Sequence, residues 1–339
     1  MRIRFLDSLK GILILGIILS HTSLPQEIAR TLFILTVPTF FFVSGFFLKK
    51  HLELKVSDFW KKKIKTLLMP YSLIGLISYV YWVSTNWFFT TENSVPFFKP
   101  LLGFFYGNGH EGWLAMNTPL WFFPCLFASE ILLFYIYRFF RNTRALLVVV
   151  MTFSVIGVLN SLYPLLGFRL PFGLDMALYL ILPLFLGSRM RLVPSDDPPF
   201  VSFAWALLFL ATIPLLYGLG IWNGGVNINL NLLVGAFSPA LWGWPLSIIP
   251  VLVFFPFLYV KIFQHLKLSA TLEIGLAFIG KNSLYFFSLH TLAFGLSEVL
   301  QRSLAIDSYS PLLDLGVSLT SVSLFIFLKT KFFKPLKGQ

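Results

Sequence analysis

The sequence has few charged residues and a single cysteine. Of its 339 residues, 12% are charged and 57% are hydrophobic, and the mean hydropathy is +0.81. Soluble domains carry about 25% charged residues, so this chain has too little polar surface for a soluble globular fold. The composition instead indicates an integral membrane protein. Because Cys125 is the only cysteine, an intrachain disulfide and a thiolate metal cluster are both excluded.

Acidic residues are scarcer than basic ones. The chain has 14 Asp and Glu against 26 Lys and Arg, which gives a net charge of +12. Such an excess can attract nucleic acid, but in a membrane protein it has a simpler origin, since basic residues accumulate in cytoplasmic loops. Membrane lipids, and no nucleic acid, are therefore the expected partners. The first apolar segment lacks a small-residue cleavage site, so we expect it to be retained.

Apolar runs of about 20 residues predict about ten transmembrane helices. The shorter run 97–107 is expected at an interface. With both termini in the cytoplasm, 22 of the 26 Lys and Arg residues fall on the inner side. The sequence thus predicts an all-α polytopic membrane protein, with one integral-membrane domain over residues 1–339. The predicted spans are 9–25, 31–48, 67–89, 118–137, 145–163, 172–188, 200–220, 240–260, 284–300 and 312–328.

A polar stripe runs along the first predicted span. At about 100° per residue, Lys10 and His21 return to within about 20° of each other, and Asp7 falls within about 60° of both. The stripe is expected to face the interior of the bundle. Ionisable groups within a span are costly and mark functional candidates. The alternative for His21 alone is a structural histidine that bonds a neighbouring helix.

The ninth predicted span carries a second stripe. Ser283, His290 and Ser297 recur every seven residues, and His290 lies at a depth similar to that of His21. Two histidines at one depth favour a functional pair over two separate structural residues. Metal binding is weakly supported, because no third ligand is evident. The remaining histidines are interpreted as solvated loop residues: His51, His110 and His265.

The run "FWKKKIKTLLMPY" at 59–71 places four lysines at the inner end of the third predicted span. One interpretation is an anchor that faces anionic lipid head groups. The other is a polyphosphate-binding patch for a nucleotide-like donor. Pro70 falls early in this span and is expected to loosen the helix there.

Other polar or small residues within spans predict specific contacts. Gly45, in "VSGFF", permits close backbone approach between helices. Glu130, in the inner half of the fourth span, needs a partner. Asp175 lies in the outer half of the sixth span, and Trp121 lies at the outer interface, where Trp is common.

These blocks, taken in order, resemble the membrane-bound acyltransferase-3 family. "FLDSLKGILILGIILSHT" is similar to its first helix, which has an acidic residue, Arg or Lys before Gly, an apolar run and then His. "VPTFFFVSGFFLKK", "KKKIKTLLMPY", "LWFFPCLF" and "GKNSLYFFSLHTL" are similar to later blocks. "LPFGLDMALYLILPLFLG" and the loop "WNGGVNINLN" resemble the branch of fucose O-acetylases. The resemblance spans almost the whole chain.

The resemblance implies roles for individual residues. His21 takes the place of the essential histidine, with Asp7 and His290 as further catalytic candidates. The donor-binding candidates are Lys10, Lys62, Lys63 and Lys65. Contacts with the acceptor fall to Trp121, Asp175, Asn282 and Ser283. The family often has arginines where this chain has lysines, so bidentate phosphate recognition is lost here.

The resemblance implies an O-acetyltransferase of the cell inner membrane. It would move an acetyl group from cytoplasmic acetyl-CoA, a cosubstrate and not a permanently bound cofactor, to a glycan or lipid-linked sugar. His21 would act as general base or carry the acetyl group itself. His290 would orient His21, stabilise the oxyanion or contact the acceptor. The rival class is a ten-span transporter of lipid-linked sugars, although no inverted repeat is evident.

Overall fold

The protein is seen in a computed structural model that describes residues 4–89, 95–109, 112–162, 169–190, 268–304 and 310–332. Within these ranges the chain forms helices and turns, and no strand. The helices are α1 (Arg4–Ser20), α2 (Gln26–Leu48), α3 (Val56–Lys63), α4 (Met69–Phe89), α5 (Phe98–Tyr106), α6 (Phe122–Phe139), α7 (Thr143–Leu162), α8 (Leu174–Arg189), α9 (Ala270–Lys281), α10 (Ser283–Ser303) and α11 (Pro311–Phe332).

Eight of the ten predicted spans coincide with described helices, and the short run 97–107 is α5. The spans predicted at 200–220 and 240–260 lie outside the described residues, as do His110 and His265. The all-helical class and the multi-pass membrane character are confirmed, whereas the number ten and the side of the termini stay predictions. Among the described residues, five stretches are long and apolar enough to cross a membrane: Val56–Asn86, Thr118–Phe139, Pro171–Arg189, Ser283–Gln301 and Pro311–Lys331.

The third predicted span differs from the helix that forms. Helix α3, a π-helical turn at Ile64–Leu68 and α4 follow one another without a break. The lysines therefore lie on the helical rod itself and not in a loop before it. The π-helical turn ends two residues before Pro70, which has no N–H to donate to the preceding turn, so the predicted loosening is seen there.

Helix α9 is absent from the predicted spans because its 12 residues extend only about 18 Å, too short for a bilayer. It packs directly on α1, backbone against backbone. A β-carbon on Gly11 would overlap the carbonyl group of Leu276, and one on Gly280 would overlap that of Asp7. Only glycine permits so close a crossing.

A second glycine contact joins α2 to α8. A β-carbon on Gly45 would overlap the carbonyl group of Leu184, and one on Gly187 would overlap that of Phe42. The predicted close approach at Gly45 is confirmed. The two crossings fix the positions of α1 and α2, which flank the turn that carries His21.

We expect Gly280→Ala to lower the melting temperature of the purified protein by several degrees, because its methyl group must displace the backbone of α1. The matched control is Gly275→Ala on the same helix, where a β-carbon meets nothing within 4 Å. That control should be neutral or slightly stabilising, since alanine favours a helix by about 1 kcal/mol over glycine. Equal melting temperatures for the two variants would contradict the close crossing.

Candidate functional site

His21 lies just beyond the end of α1. Its backbone N–H donates to the Ile18 carbonyl at 3.1 Å, and two neighbouring hydroxyl groups cap the last turn. Ser20 Oγ donates to the Ile17 carbonyl at 2.7 Å, and Thr22 Oγ1 donates to that of Leu19 at 2.8 Å. Helix α1 ends at Ser20 and not at residue 25 as expected, so His21 lies on the turn that follows, with an exposed side chain.

The two predicted histidines meet. The ring centroids of His21 and His290 are 5.3 Å apart and the ring planes are tilted by 33°. His290 is fully buried on α10, so one imidazole of the pair is enclosed and the other is open to approach. The whole stripe of Ser283, His290 and Ser297 is buried, as its seven-residue spacing predicts.

The tautomer of His290 follows from its hydrogen bond. Its Nδ1 lies 2.7 Å from the carbonyl oxygen of Phe287. A carbonyl oxygen only accepts, so Nδ1 carries the proton and, in the neutral ring, Nε2 carries a lone pair. Nε2 is buried and has no hydrogen-bond partner among the described residues. Such an unpaired buried acceptor is unusual and calls for an explanation.

Aromatic rings enclose the histidine pair. Phe33 meets the His21 ring edge-on at 6.4 Å, and Phe294 meets the His290 ring edge-on at 5.3 Å. Phe287 lies 6.2 Å from the His290 ring and 4.6 Å from that of Phe122. Apolar walls of this kind strengthen polar interactions inside them by keeping water away.

Asn117 is a buried residue near the pair that the sequence does not single out. Its Nδ2 donates to Ser78 Oγ at 3.0 Å and to the Ser288 carbonyl at 2.8 Å. It thereby ties α4 and the segment before α6 to α10, two residues from His290. A lone Asn before a Pro-containing turn carries no pattern that would have revealed this role.

The lysines of α3 divide into two groups. Lys62 and Lys65 are exposed, whereas Lys63 turns inward and its Nζ lies 2.9 Å from Oε2 of Glu130. Both side chains of this ion pair are 6% exposed. Glu130 thus has the partner that its position requires, and Lys63 is not presented to solvent as a phosphate ligand.

Lys10 lies near the ion pair of Lys63 and Glu130. Its Nζ lies 4.5 Å from the centre of the Phe47 ring, and its charge reaches the carboxylate of Glu130. Asp7 is buried where α1 crosses α9. It precedes His21 by 14 residues, about 21 Å along a helix, so it lies far from the histidine pair. The geometry therefore gives no support for Asp7 as a catalytic residue. Asp7 lies instead near Lys10, on the first turns of α1.

The four acceptor candidates do not converge. Trp121 is partly buried in a 3₁₀ turn, Ser283 is buried at the start of α10, and Nδ2 of Asn282 donates to the Phe278 carbonyl at 2.9 Å. Asp175 pairs with Nε of Arg169 at 2.5 Å. Local structure accounts for the contacts of Asn282 and Asp175, and the role of all four in acceptor binding stays a prediction.

A sequence model of the acyltransferase-3 family, described as an acyltransferase domain, matches residues 3–329. The chain belongs to this family. The match covers nearly the whole length of this acyltransferase. It leaves the alternative of a transporter without support. No curated protein and no solved structure matches the chain.

His51 of the acyltransferase differs from the expected solvated loop residue. It is partly buried, and its Nδ1 has no hydrogen-bond partner within the described part of the chain. Burial, and then repulsion by Lys63, Lys62 and Lys50, lower the pKa of His51 from 6.5 to about 4. The turn after α2 and the lysines of α3 therefore form one basic region.

We expect His51 to make the acyltransferase sensitive to acid. Its pKa is lower in the folded state, so the unfolded state binds more protons between pH 6.5 and pH 4. Stability contributed by neutral His51 is complete above about pH 6.5 and is lost as the pH falls towards 4. Melting temperatures measured from pH 7.5 to 4.5 should therefore fall less steeply for His51→Gln than for the unchanged protein. Parallel curves would contradict this environment for His51.

Proposed function

We propose that this acyltransferase moves an acetyl group from cytoplasmic acetyl-CoA to a hydroxyl group of a cell-envelope glycan or lipid-linked sugar. The observation that carries the proposal is the contact between His21, which is open to approach, and His290, which is buried with a free Nε2 lone pair. A positioned imidazole that can take the proton of a hydroxyl group is a suitable general base for acyl transfer to an alcohol.

The reaction would proceed by attack of the acceptor hydroxyl on the thioester carbonyl. His21 takes the hydroxyl proton as the new C–O bond forms, and the tetrahedral intermediate then expels the thiolate. The imidazolium of His21 returns the proton to the thiolate, so ester and free thiol leave and the enzyme is unchanged. A route through an acetylated His21 needs the same nitrogen as nucleophile.

The hydrogen bond of His290 narrows its role. With the proton on Nδ1, Nε2 can accept a hydrogen bond but cannot donate one to an oxyanion. This favours two of the three expected roles, orientation of His21 through an N–H···Nε2 bond or acceptance from the acceptor hydroxyl. Oxyanion stabilisation would need the opposite tautomer or a charged ring.

The inner lysines suit the donor. Lys62 is exposed on α3 and Lys65 on the π-helical turn after it. Lys10 lies 11 residues before His21, about 16 Å along a helix. The coenzyme's phosphates would bind near these charges while its pantetheine arm covers the distance to the histidines. Ammonium groups hold phosphate as point charges, without the paired geometry of arginine.

The predicted topology agrees with such a path. In the ten-span arrangement with both termini cytoplasmic, the α3 lysines face the compartment where acetyl-CoA is made, and His21 lies towards the other side of the inner membrane. Trp121 and Asp175 stay the proposed contacts of the acceptor, whereas Asn282 and Ser283 follow the crossing of Gly280 with Asp7 and could contact it only at a distance from His21. The fucose O-acetylase-like branch points to a sugar hydroxyl as the acceptor.

We expect His21→Ala to reduce acetyl transfer at least about 100-fold, because general base catalysis contributes that much or more. Transfer is measured with labelled acetyl-CoA in membranes that contain equal amounts of each variant. His290→Gln should reduce it less than His290→Ala does, since the amide can still accept a hydrogen bond. Undiminished acetylation in His21→Ala would refute the role of His21.

We expect the double variant Lys62→Ala/Lys65→Ala to raise the KM for acetyl-CoA several-fold and to leave kcat nearly unchanged, since these charges would bind phosphate far from the reacting atoms. The matched control is Lys55→Ala, which removes an exposed lysine just before α3. An equal rise in KM for the control would reduce the role of Lys62 and Lys65 to general surface charge.

A further inference from the structure

We propose that Glu130 is a built-in counter-ion of the donor site: its carboxylate competes with the coenzyme's phosphates, held at the exposed Lys62 and Lys65, by cancelling the positive charge of the buried Lys63. The inference rests on the proposed function, since it takes the donor to be an anionic nucleotide thioester. The neutral alternative is that Glu130 only stabilises the packing of α3 on α6.

The ion pair is held rigidly beneath the exposed lysines. Phe59, one turn before Lys63, stacks on Phe134 of α6 at 3.9 Å, one turn after Glu130. Next to it, Trp60 Nε1 donates to Tyr135 Oη at 3.1 Å. These contacts leave Lys63 little freedom to move away from Glu130.

The ion pair of Lys63 and Glu130 lies close in sequence to the proposed donor-binding lysines. Lys63 lies between the exposed residues Lys62 and Lys65, and the π-helical turn Ile64–Leu68 begins directly after it. Turns of this type recur at functional sites, where they re-aim side chains. An anion on Lys62 and Lys65 would therefore lie close to the buried pair.

The charges of Lys10, Lys63 and Glu130 determine whether Glu130 strengthens or weakens donor binding. Lys63 pairs with Glu130 at 2.9 Å and Lys10 acts on the same carboxylate, so loss of that carboxylate charge raises the net charge of the cluster by one. Burial weakens the screening of this charge by water and salt. An incoming phosphate is attracted by the two ammonium groups and repelled by the carboxylate. Removal of the carboxylate charge should thus strengthen donor binding, whereas a purely structural Glu130 gives no such gain.

The test compares coenzyme A binding by three forms of the full chain in lipid nanodiscs, by equilibrium titration. Glu130→Gln raises the cluster charge by one and should lower the Kd at least about fivefold. Lys63→Met/Glu130→Gln restores the original net charge, so its Kd should stay within about twofold of the unchanged protein.

The control is Glu298→Gln, which makes the same substitution on α10, eight residues beyond His290, and should leave the Kd unchanged. An unchanged or higher Kd for Glu130→Gln would overturn the inference. If Glu130→Gln is not recovered folded, the test rests on Lys63→Met/Glu130→Gln. Weaker coenzyme binding by this double variant than by the unchanged protein would then overturn the competition between Glu130 and phosphate. No coenzyme binding by the unchanged protein would overturn the proposed function as well, whereas binding that ignores Glu130 overturns this inference alone.

Discussion

The crossing of α1 and α9 is the constraint on which the candidate site depends. Gly11 and Gly280 let the two backbones touch, and α10 follows α9 after Asn282 alone. The depth of α10 relative to α1 is therefore fixed from the crossing onwards, and His290 arrives beside the turn that carries His21. Lipid provides no hydrophobic force between helices, so such close van der Waals contact is what can hold this register.

The same geometry separates two kinds of chemistry along α1. Its first turns contribute Asp7 and Lys10 to the inner charges, and its end contributes His21 to the aromatic enclosure. Buried charges would perturb an imidazole that must exchange a proton, and distance along the helix keeps them apart. A substrate long enough to reach both regions can be bound at one and react at the other, so that binding energy remote from the reaction positions the reacting atoms.

Features that depend on local sequence were predictable. Apolar runs located α6, α8 and α11, because a membrane span imposes a minimum length on its helix. The seven-residue spacing of Ser283, His290 and Ser297 gave a buried face, and comparable depths brought His21 and His290 together. The end of α1 was misplaced, since "SHTSLP" lacks a glycine to mark the stop.

Features that depend on distant partners were not predictable. Asn117 bonds to residues 39 and 171 positions away, and no periodicity relates them. Glu130 visibly needed a partner, but Lys63 was assigned to an aqueous loop because the span was taken to begin at residue 67. Helix α9 fell below the length that marks a span, although its glycine makes one of the closest contacts described.

The two histidines differ in their surroundings, since His290 is buried and His21 is exposed. His290 is locked on both sides, by the carbonyl group of Phe287 at Nδ1 and by aromatic rings around it. His21 lies on a turn, and its side chain is exposed. A fixed lone pair beside an exposed ring can select which nitrogen of the exposed ring carries the proton, because His21 gains a hydrogen bond only when it presents N–H to Nε2. In the proposed reaction the other nitrogen of His21 would then face the substrate as the base, and the buried histidine would act without touching the acyl group.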